Sequence, residues 1–357
     1  MTGEDGWDSA AFRDRIQSAL DVFIDEQAAT LAPLGPDADR LVREAHTSVS
    51  GGKRFRAAFC YWGHRAVHPS PDDEDALVRA CASLELLHAS ALVHDDFMDA
   101  SDTRRGRPAT HRQFEGEHRD AGWRGDAGQY GAAAAILLGD LLLSWSDELL
   151  RRCGLPITQV APALEVFDRC RSEVIAGQFL DVSVQARGRA DVDAAMTVLR
   201  YKSAKYSIER PLHIGAALAG ASGSTMAELS GFGLPLGEAF QLRDDLLGVF
   251  GDPAATGKPA GDDLIEGKRT VLVALALDAA SPADAARLDA ALGTPLSPDE
   301  VEDLRAIINA SGAHAQVEAV IEQLGSHAVA ALDEAAIDER ARGVLRGLAS
   351  AATQRVV

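Results

Sequence analysis

Residues 84–110 read LELLHASALVHDDFMDASDTRRGRPAT, and this stretch carries most of the evidence on the fold. Alanine and leucine recur in its first part at intervals of three and four residues, which predicts an α-helix. Asp95 and Asp99 stand four residues apart near the end of that helix, so their carboxylates would lie on one face, with Asp96 beside them. The stretch therefore predicts a mostly apolar helix with an acidic end.

Carboxylates clustered at the end of an apolar helix are costly unless cations neutralise them. Two such charges about 4 Å apart repel by roughly 4 kcal/mol at an effective dielectric of 20. Oxygen-only ligands suit a hard cation such as Mg²⁺, which commonly shares its coordination shell with substrate phosphates. A solvated acidic helix end is the alternative interpretation of DDFMD taken alone.

A second acidic cluster lies in FQLRDDLLGVFGD, residues 240–252. Asp244 and Asp245 are adjacent there, Gln241 stands four residues before Asp245, and apolar residues occupy the other faces of the predicted helix. Two such clusters can face each other across a helical bundle and leave a polar cavity for a polyanion bridged by metal ions.

Basic side chains are concentrated beside the acidic clusters. Lys53, Arg54 and Arg56 follow two glycines where a helix should start, so backbone N–H groups and side chains could bind one phosphate together. Arginine offers a planar fork for bidentate phosphate contacts, whereas lysine acts as a mobile point charge. The remaining basic candidates are Arg104, Arg105, Arg107, Lys202, Lys205, Lys258 and Lys268.

The rest of the chain shows the same helical periodicity, whereas alternating β-branched runs are scarce. The expected fold class is all-α, in a single domain over residues 1–357. The stretch 111–131 is the most loop-like and could be a flap. The predicted helices cover residues 9–31, 37–48, 52–67, 73–99, 129–152, 157–186, 191–219, 225–250, 262–280, 282–292, 298–311, 313–335 and 338–353.

Charge and composition exclude several classes of function. The chain has 54 acidic residues against 35 lysines and arginines, and the net charge of −19 disfavours general nucleic-acid binding. The acidic start lacks the features of a signal peptide, and the longest apolar stretch, 132–143, is too short to cross a bilayer. We expect no transmembrane segment, a cytoplasmic location, and four cysteines that are reduced core residues.

Two other motifs do not support a site. The glycines before Lys258 and Lys268 are separated by five residues, whereas a Walker A loop needs four and then Ser or Thr after the lysine. Glu85 and His88 form an ExxH pair like those of di-iron bundles, but a second helical pair is not expected, because Glu115 and His118 fall in the loop-like stretch.

Five blocks of sequence together resemble the trans-isoprenyl diphosphate synthase family, the polyprenyl synthetases. The blocks are GGKRFR at 51–56, HASALVHDDFMD at 88–99 with RRGRPATH at 104–111, YKSAKY at 201–206, FQLRDD at 240–245 and TGKPAGDDLIEGKRT at 256–270. They follow the family's order, and beyond Ala280 only the helical pattern agrees. The resemblance implies a large helical bundle of the isoprenoid synthase type with a central cavity, and a homodimer.

The resemblance also implies a role for each motif residue. The implied ligands of isopentenyl diphosphate are Lys53, Arg56, His88 and Arg105. Those of the allylic diphosphate are Arg104, Lys202, Ser203, Gln241 and Lys258, of which Arg104, Lys202 and Lys258 would be catalytic. The implied Mg²⁺ ligands are Asp95, Asp96, Asp99, Asp244 and Asp245. Lys268 would guard a closing loop and also contact substrate.

The implied reaction joins isopentenyl diphosphate to an allylic diphosphate and makes an all-trans polyprenyl diphosphate. Ionisation of the allylic C–O bond creates a carbocation and diphosphate, so catalysis should be mainly electrostatic, with Mg²⁺ and cationic side chains stabilising the leaving group. No side-chain nucleophile is required. Water must be kept from the cation, so closure of loops around 101–110 and 252–262 is expected.

One position departs from the family's pattern. The second cluster is often DDxxD in this family, but Gly248 stands at its third acidic position. Asp252, one helical turn further, could compensate. We expect activity to survive, with weaker Mg²⁺ affinity.

The resemblance implies that the growing chain runs along the helix of the first aspartates toward its N-terminus and is stopped by a bulky side chain. One helical turn rises about 5.4 Å, close to one isoprene unit, so residues one and two turns before Asp95 would limit successive additions. Ser90 and Ala91 are small where short-chain members commonly place an aromatic residue, so a fifteen-carbon product is not expected. Leu87 or Leu86, or a residue on a facing helix, would be the next side chain that stops the growing product. The expected product is geranylgeranyl diphosphate or a somewhat longer one.

Two alternative functions share parts of this pattern. A class I terpene cyclase usually carries an Asn/Ser/Glu metal motif in place of the second aspartate pair, and none is evident in the sequence. A non-catalytic regulatory subunit should have lost one acidic cluster or the basic phosphate ligands, whereas both are retained here apart from Gly248.

Overall fold

The structure, a computed structural model, describes residues 9–188, 191–251 and 261–353. Helices make up nearly all of these residues, so the predicted all-α class is confirmed. The strands in this described part are β1 (Thr103–Arg104) and β2 (Arg107–Pro108), an antiparallel pair of two residues each. The prediction of one domain over residues 1–357 stays a prediction.

The helices follow one another with short connections, most of them near the predicted bounds. The first ten α-helices are α1 (Ser9–Leu31), α2 (Pro36–Ser48), α3 (Phe55–Val67), α4 (Glu74–Met98), α5 (Thr110–Asp120), α6 (Ala127–Arg151), α7 (Ile157–Arg187), α8 (Val192–Val198), α9 (Arg210–Leu218) and α10 (Gly223–Phe250). A π-helix, Leu199–Glu209, joins α8 to α9, and a 3₁₀ turn, Ala32–Leu34, follows α1. The last six are α11 (Asp262–Glu266), α12 (Val271–Ala279), α13 (Pro282–Ala291), α14 (Pro298–Ala310), α15 (Ala313–Glu334) and α16 (Glu339–Thr353).

Helix α4 lies in the middle of the fold. It begins at the cap Asp73, whose side chain accepts a hydrogen bond from the backbone N–H of Ala76 at 2.8 Å. It is apolar on all sides over most of its length and packs against α1, α3 and α6. Of the described helices, α4 alone is long and apolar enough to cross a membrane, but 78% of its apolar window is buried inside the fold, as in the core helix of a globular protein.

Two hydrophobic cores meet along α10. Its first half contributes Phe232 and Leu236 to a core shared with α1, α3, α4, α6 and α7, and its second half contributes Leu242 and Leu246 to a core shared with α12, α14 and α15. All four cysteines are buried free thiols, as predicted. Because α10 spans both cores, its acidic residues lie at the junction of the two halves.

The loop expected over 111–131 is wrong for its first half, which forms α5. The sequence THRQFEGEHRD has little apolar periodicity, and the helix is held instead by Arg112 and Arg119, which both pair with Glu115. Phe114 and His118 are buried against α6. Sequence periodicity therefore missed a helix that is stabilised by charge pairs and by a few buried side chains.

Three other predicted helices have different bounds or geometry. The helix expected over 262–280 is broken at Gly267, whose φ of +76° is left-handed. The helix expected at 52 begins only at Phe55, since Gly51, Gly52 and Arg54 all have positive φ. The helix predicted over 191–219 contains the π-helix, in which backbone hydrogen bonds run to the fifth residue.

Candidate active site

A cavity of about 1330 Å³ opens beside the C-terminal end of α4. It brings together most of the residues predicted for the site. Its lining includes Lys53, Arg56, Leu87, His88, Ser90, Ala91, Asp95, Arg104, Arg105, Lys202, Ser203, Gln241, Asp244, Asp245 and Lys268. Lys258 and Asp252 lie outside the described residues, as does most of the loop predicted to close over 252–262.

The end of α4 forms the first acidic wall. Asp95 accepts hydrogen bonds from Lys202 Nζ at 3.2 Å and from Gln178 Nε2 at 2.9 Å. Burial alone would raise the pKa of Asp95, but the charges of Lys202, Lys268 and Arg104 outweigh it and hold the pKa below its usual value. Asp95 therefore stays ionised although it is buried.

Asp99 lies one turn further and is less well compensated. Burial, and then the charge of Asp95, raise the pKa of Asp99 to about 6. Lys268 Nζ lies 3.5 Å from its Oδ2 atom. The first wall therefore holds one firmly ionised carboxylate and one that gains a proton easily.

Asp96 points away from the cavity. Its side chain is buried and accepts a hydrogen bond from Arg104 Nε at 2.8 Å. The ion pair fixes Arg104, which lines the cavity, next to the first wall. Of the three predicted aspartates on α4, only Asp95 lines the cavity. Asp96 is a partner of Arg104, and Asp99 lies behind the lining residue Lys268, 3.5 Å from its Nζ atom.

Helix α10 forms the second acidic wall. Asp244 lines the cavity, and Asp245, 8% exposed, accepts a hydrogen bond from Gln241 Nε2 at 2.8 Å. Burial, and then the nearby carboxylate of Asp263, raise the pKa of Asp245 to about 8. Asp245 therefore holds a proton at neutral pH, because nearby cations do not fully offset burial and the charge of Asp263.

Two lysines lie between these carboxylates. Lys202 Nζ is 3.2 Å from Asp95 and 2.6 Å from Asp181, and these charges raise its pKa although burial opposes them. Lys268 Nζ is 3.5 Å from both Asp99 and Asp263, so it spans the two walls. Both lysines are charged, and both contact the groups predicted to bind metal.

The π-helix holds Lys202 in place because glycines on either side let neighbouring helices approach closely. A β-carbon on Gly177 of α7 would lie 2.4 Å from the backbone N of Lys202. A β-carbon on Gly237 of α10 would lie 2.5 Å from the carbonyl O of Ala204. Distances under 3.0 Å are not tolerated by real β-carbons, so both positions require glycine for this packing.

The basic end of the cavity is formed by the turn before α3 and by the β1–β2 hairpin. Arg105 has a φ of +52° and donates a hydrogen bond to the carbonyl O of Ser50 at 2.9 Å. The guanidinium of Arg56 stacks over the ring of Tyr206 at 4.2 Å and donates to Ser207 Oγ. Lys53 lines the same end. Several cations therefore surround a space that is large enough for a phosphate group.

His88 is a neutral member of this basic end. Burial, and then the charges of Arg56 and Arg105, hold its pKa well below the usual value. Its Nδ1 atom lies 2.8 Å from the hydroxyl oxygen of Tyr206. Glu85, the other half of the predicted ExxH pair, is bound by buried Arg54 at 3.1 Å.

The di-iron alternative gains no support from these positions. The second ExxH pair does lie on a helix, α5, contrary to the prediction, but Glu115 is taken up by Arg112 and Arg119, and His118 contacts the carbonyl O of Arg124. Across residues 9–188, 191–251 and 261–353, no three His, Cys, Asp or Glu side chains already converge as a metal-binding group, and this holds for the two acidic walls as well as for the ExxH pairs.

The apolar part of the cavity runs along α4 away from the acidic walls. Ser90, Ala91 and Leu87 line it, whereas Leu86 is fully buried and is not part of the lining. Leu143 of α6 and Val174 of α7 lie on the facing side. The cavity is therefore acidic and basic at one end and apolar at the other.

Sequence reasoning missed Gln178, Asp181 and Asp263, which contact predicted site residues directly. Gln178 and Asp181 lie outside the five blocks of sequence, and Asp263 lies inside the last block but was given no role there. The signal that could have located the first two is Gly177, a lone glycine inside the long helix α7, which indicates close approach of another backbone.

The chain is similar to proteins of known function over most of its length. The family model for polyprenyl synthetase matches residues 39–310. A short chain isoprenyl diphosphate synthase of Methanothermobacter thermautotrophicus is 34% identical over 70% of this chain and 70% of its own. A geranylfarnesyl diphosphate synthase of Aeropyrum pernix is 33% identical over 75% of this chain and 79% of its own.

A solved structure is similar over nearly the whole chain. The crystal structure of geranylgeranyl pyrophosphate synthase from Corynebacterium glutamicum, complexed with isoprenyl diphosphate and magnesium, superposes with a TM-score of 0.95. It is 41% identical, and the match covers 98% of this chain and 100% of that one.

Proposed function

The chain belongs to the polyprenyl synthetase family, and we propose that it joins isopentenyl diphosphate to an allylic diphosphate and releases an all-trans polyprenyl diphosphate. It is a trans-prenyltransferase of isoprenoid biosynthesis. One observation supports this most strongly: a single cavity combines two acidic walls, a basic end and an apolar extension along α4. These parts match a metal-bridged diphosphate, a second diphosphate and a hydrocarbon chain.

The acidic walls fit Mg²⁺. All candidate ligands are carboxylate oxygens, which hard divalent cations prefer. The raised pKa values of Asp99 and Asp245 indicate negative charge that the surrounding protein compensates only in part. Asp95 and Asp99 on one side and Asp244 and Asp245 on the other would hold the ions. When bound, Mg²⁺ would neutralise the diphosphate leaving group and so promote ionisation of the allylic C–O bond.

Cationic side chains would bind the allylic diphosphate beside the metal ligands. Arg104 is fixed by Asp96, and Lys202 by Asp95 and Asp181, so their charges are oriented before substrate arrives. Such preorganised charge costs no rearrangement when negative charge develops on the leaving group. Lys258, Gln241 and Ser203 stay predicted ligands of the same diphosphate.

Isopentenyl diphosphate would bind at the basic end. Lys53, Arg56 and Arg105 supply positive charge there, and neutral His88 can donate one hydrogen bond without adding charge. Tyr206 is buried and its pKa is raised, so its hydroxyl stays protonated. Neither His88 nor Tyr206 is a strong base, which agrees with the role that the family resemblance gives the departing diphosphate, acceptance of the proton that ends each cycle.

The product we propose is geranylgeranyl diphosphate or a somewhat longer chain. Ser90 and Ala91 leave space beside the apolar part of the cavity, and Leu87 is the first larger apolar side chain of the lining further along α4. The named products of the similar proteins from C. glutamicum and A. pernix fall in this range.

We also propose a homodimer. Ile175, Phe179 and Val182 recur at helical spacing on α7 and are 57%, 74% and 38% exposed, and Ile136 on α6 is 44% exposed. All four also line the cavity. Exposed apolar side chains grouped on two neighbouring helices are typical of a surface that another chain covers. The cytoplasmic location stays a prediction.

Product analysis tests the proposed function directly. The purified enzyme is incubated with isopentenyl diphosphate and with dimethylallyl, geranyl or farnesyl diphosphate, in Mg²⁺ or in EDTA. We expect elongated linear products in Mg²⁺ and none in EDTA, measured by chromatography after dephosphorylation. Cyclic hydrocarbons would support a terpene cyclase, and failure to elongate any primer in Mg²⁺ would support a regulatory subunit.

A further inference from the structure

Gly248 and Asp263 meet at the second acidic wall. Gly248 lies on α10, one helical turn after Asp244. A β-carbon built on Gly248 would lie 2.0 Å from Oδ2 and 2.4 Å from Cγ of Asp263, and real β-carbons do not approach so closely. The carboxylate of Asp263 therefore occupies the space that any side chain at position 248 would enter.

Glycine is less favourable than alanine inside a helix, so a glycine at a crowded position indicates close packing of a neighbouring group. Gly248 cannot be explained by an unusual backbone, since it does not have positive φ. It is explained by Asp263, which a larger residue would displace.

Asp263 belongs to the cavity although it comes from a separate element. It lies on the short helix α11, is 8% exposed and lines the cavity together with Asp244 and Asp245. Lys268 Nζ lies 3.5 Å from its Oδ1 atom and 3.5 Å from Asp99 of the opposite wall. Its carboxylate is therefore buried in the same electrostatic environment as the predicted metal ligands.

We propose that Asp263 supplies the third carboxylate of the second acidic wall, in the space that the absence of a side chain at position 248 leaves free. The metal-facing set on this side would be Asp244, Asp245 and Asp263, with the third member delivered by α11 instead of α10. This inference rests on the proposed function. In this arrangement Gly248 makes room for the carboxylate of Asp263, so the glycine does not mean that the second wall lacks its third carboxylate.

The test measures metal binding without turnover. Thermal unfolding of the full-length enzyme is followed in excess inorganic diphosphate while Mg²⁺ is titrated, and the Mg²⁺ concentration that gives half of the stabilisation is recorded. We expect D263N to raise that concentration about tenfold or more, the effect of losing a group that supports a metal site. G248A should act in the same direction, because its β-carbon displaces Asp263. D278N, an exposed aspartate on α12 outside the cavity, is the control with the same change in net charge.

A positional exchange provides a second, independent test. D263G should weaken Mg²⁺ binding, and G248D combined with D263G should recover it, since the exchange removes the clash and returns the carboxylate to α10. Metal-free unfolding of each variant reports on folding separately.

Two results would overturn the inference: D263N that titrates with Mg²⁺ like the wild type, or a folded G248D/D263G variant that binds no better than D263G. Elongation by the wild type is assayed in parallel. A wild type that elongates while D263N binds Mg²⁺ normally would overturn this inference and leave the proposed function standing.

Discussion

The carboxyl group of Asp245 is buried beside Asp263, and these two circumstances raise its pKa to about 8. An aspartate in the unfolded chain has a pKa of about 3.9. Between these values the folded protein binds a proton that the unfolded chain does not. That proton stabilises the fold below about pH 4, and its contribution is lost as the pH rises through about 8. Single residues at this site thus link the charge of the cavity to the stability of the protein.

A pH prediction follows for the metal-free enzyme. We expect the free energy of unfolding of the wild type to fall, relative to D245N, as the pH rises from about 4 to about 8. D245N cannot titrate at this position, so the difference between the two proteins isolates the contribution of Asp245. Chemical denaturation in EDTA across this pH range measures it. A difference that does not change with pH would contradict the assigned shift.

Lys202 and Lys205 allow a matched test of the cationic residues, because both lie on the π-helix and only Lys202 lines the cavity. We expect K202M to lower kcat by about 10²- to 10³-fold, the usual cost of removing a preorganised charge that stabilises a transition state. Lys205 pairs with Glu173 at 3.2 Å outside the cavity, so K205M should reduce stability and leave kcat near the wild-type value. Steady-state kinetics with thermal unfolding separates the two effects, and equal losses of kcat would argue against the role of Lys202.

At the scale of the element, the π-helix shows what packing adds to sequence. Residues 199–209 were predicted to be helical from the sequence. Their π-helical winding was not predicted, because no local sequence pattern indicates backbone hydrogen bonds that run to the fifth residue. The cause is tertiary: Gly177 and Gly237 let α7 and α10 approach the segment from two sides. Helix α5 was missed because its buried face is mostly polar, with Phe114 beside His111 and His118, so the apolar pattern that indicates a helix is weak there.

Two glycines on α10 test this packing. G237A would place a β-carbon 2.5 Å from the carbonyl O of Ala204, so we expect a loss of about 1–3 kcal/mol in unfolding free energy and lower kcat as Lys202 shifts. G231A is the control, because its β-carbon would meet Ala331 at an ordinary 3.6 Å. That variant should be at least as stable as the wild type, since alanine favours helix over glycine. Denaturant unfolding and kinetics are compared, and a neutral G237A would contradict the proposed constraint.

The face of α4 that lines the cavity gives a prediction about product length. Ser90 lines the cavity and is 3% exposed, so the ring of S90F would project into the apolar part that receives the growing chain. We expect products shorter by at least one isoprene unit. Chromatography of dephosphorylated products measures the change. An unchanged product distribution would refute the assignment of Ser90 to the part of the cavity that receives the growing chain.

At the scale of the whole molecule, the motifs could be predicted from the sequence, but the contacts that the fold makes between them could not. Residues from five blocks of sequence were expected in one site because of repeated chemistry and family resemblance, and the fold brings most of them to one cavity. Asp96 was grouped with the metal ligands because it is adjacent to Asp95, yet the helix turns it toward Arg104. Asp263 could not have been foreseen, because its contact with Gly248 depends on how α11 packs on α10.

The proposed homodimer is tested on the exposed apolar face of α6 and α7. We expect the double substitution of Ile175 and Phe179 by aspartate to dissociate the dimer, because buried charges without partners destabilise an interface. L34D is the control, since Leu34 is 70% exposed in the 3₁₀ turn after α1. Sedimentation at micromolar concentration reports the mass, and a wild type that sediments as a monomer would remove the basis for the proposal.

Lys268 touches carboxylates of both walls, and Lys202 touches Asp95 and Asp181. Divalent ions at Asp95 and Asp99 would replace one partner of each lysine, while Lys202 keeps Asp181 and Lys268 keeps Glu266. Both lysines would then stay in place beside the incoming diphosphate, which gains them as counterions. Metal binding and affinity for the diphosphate are therefore expected to increase together.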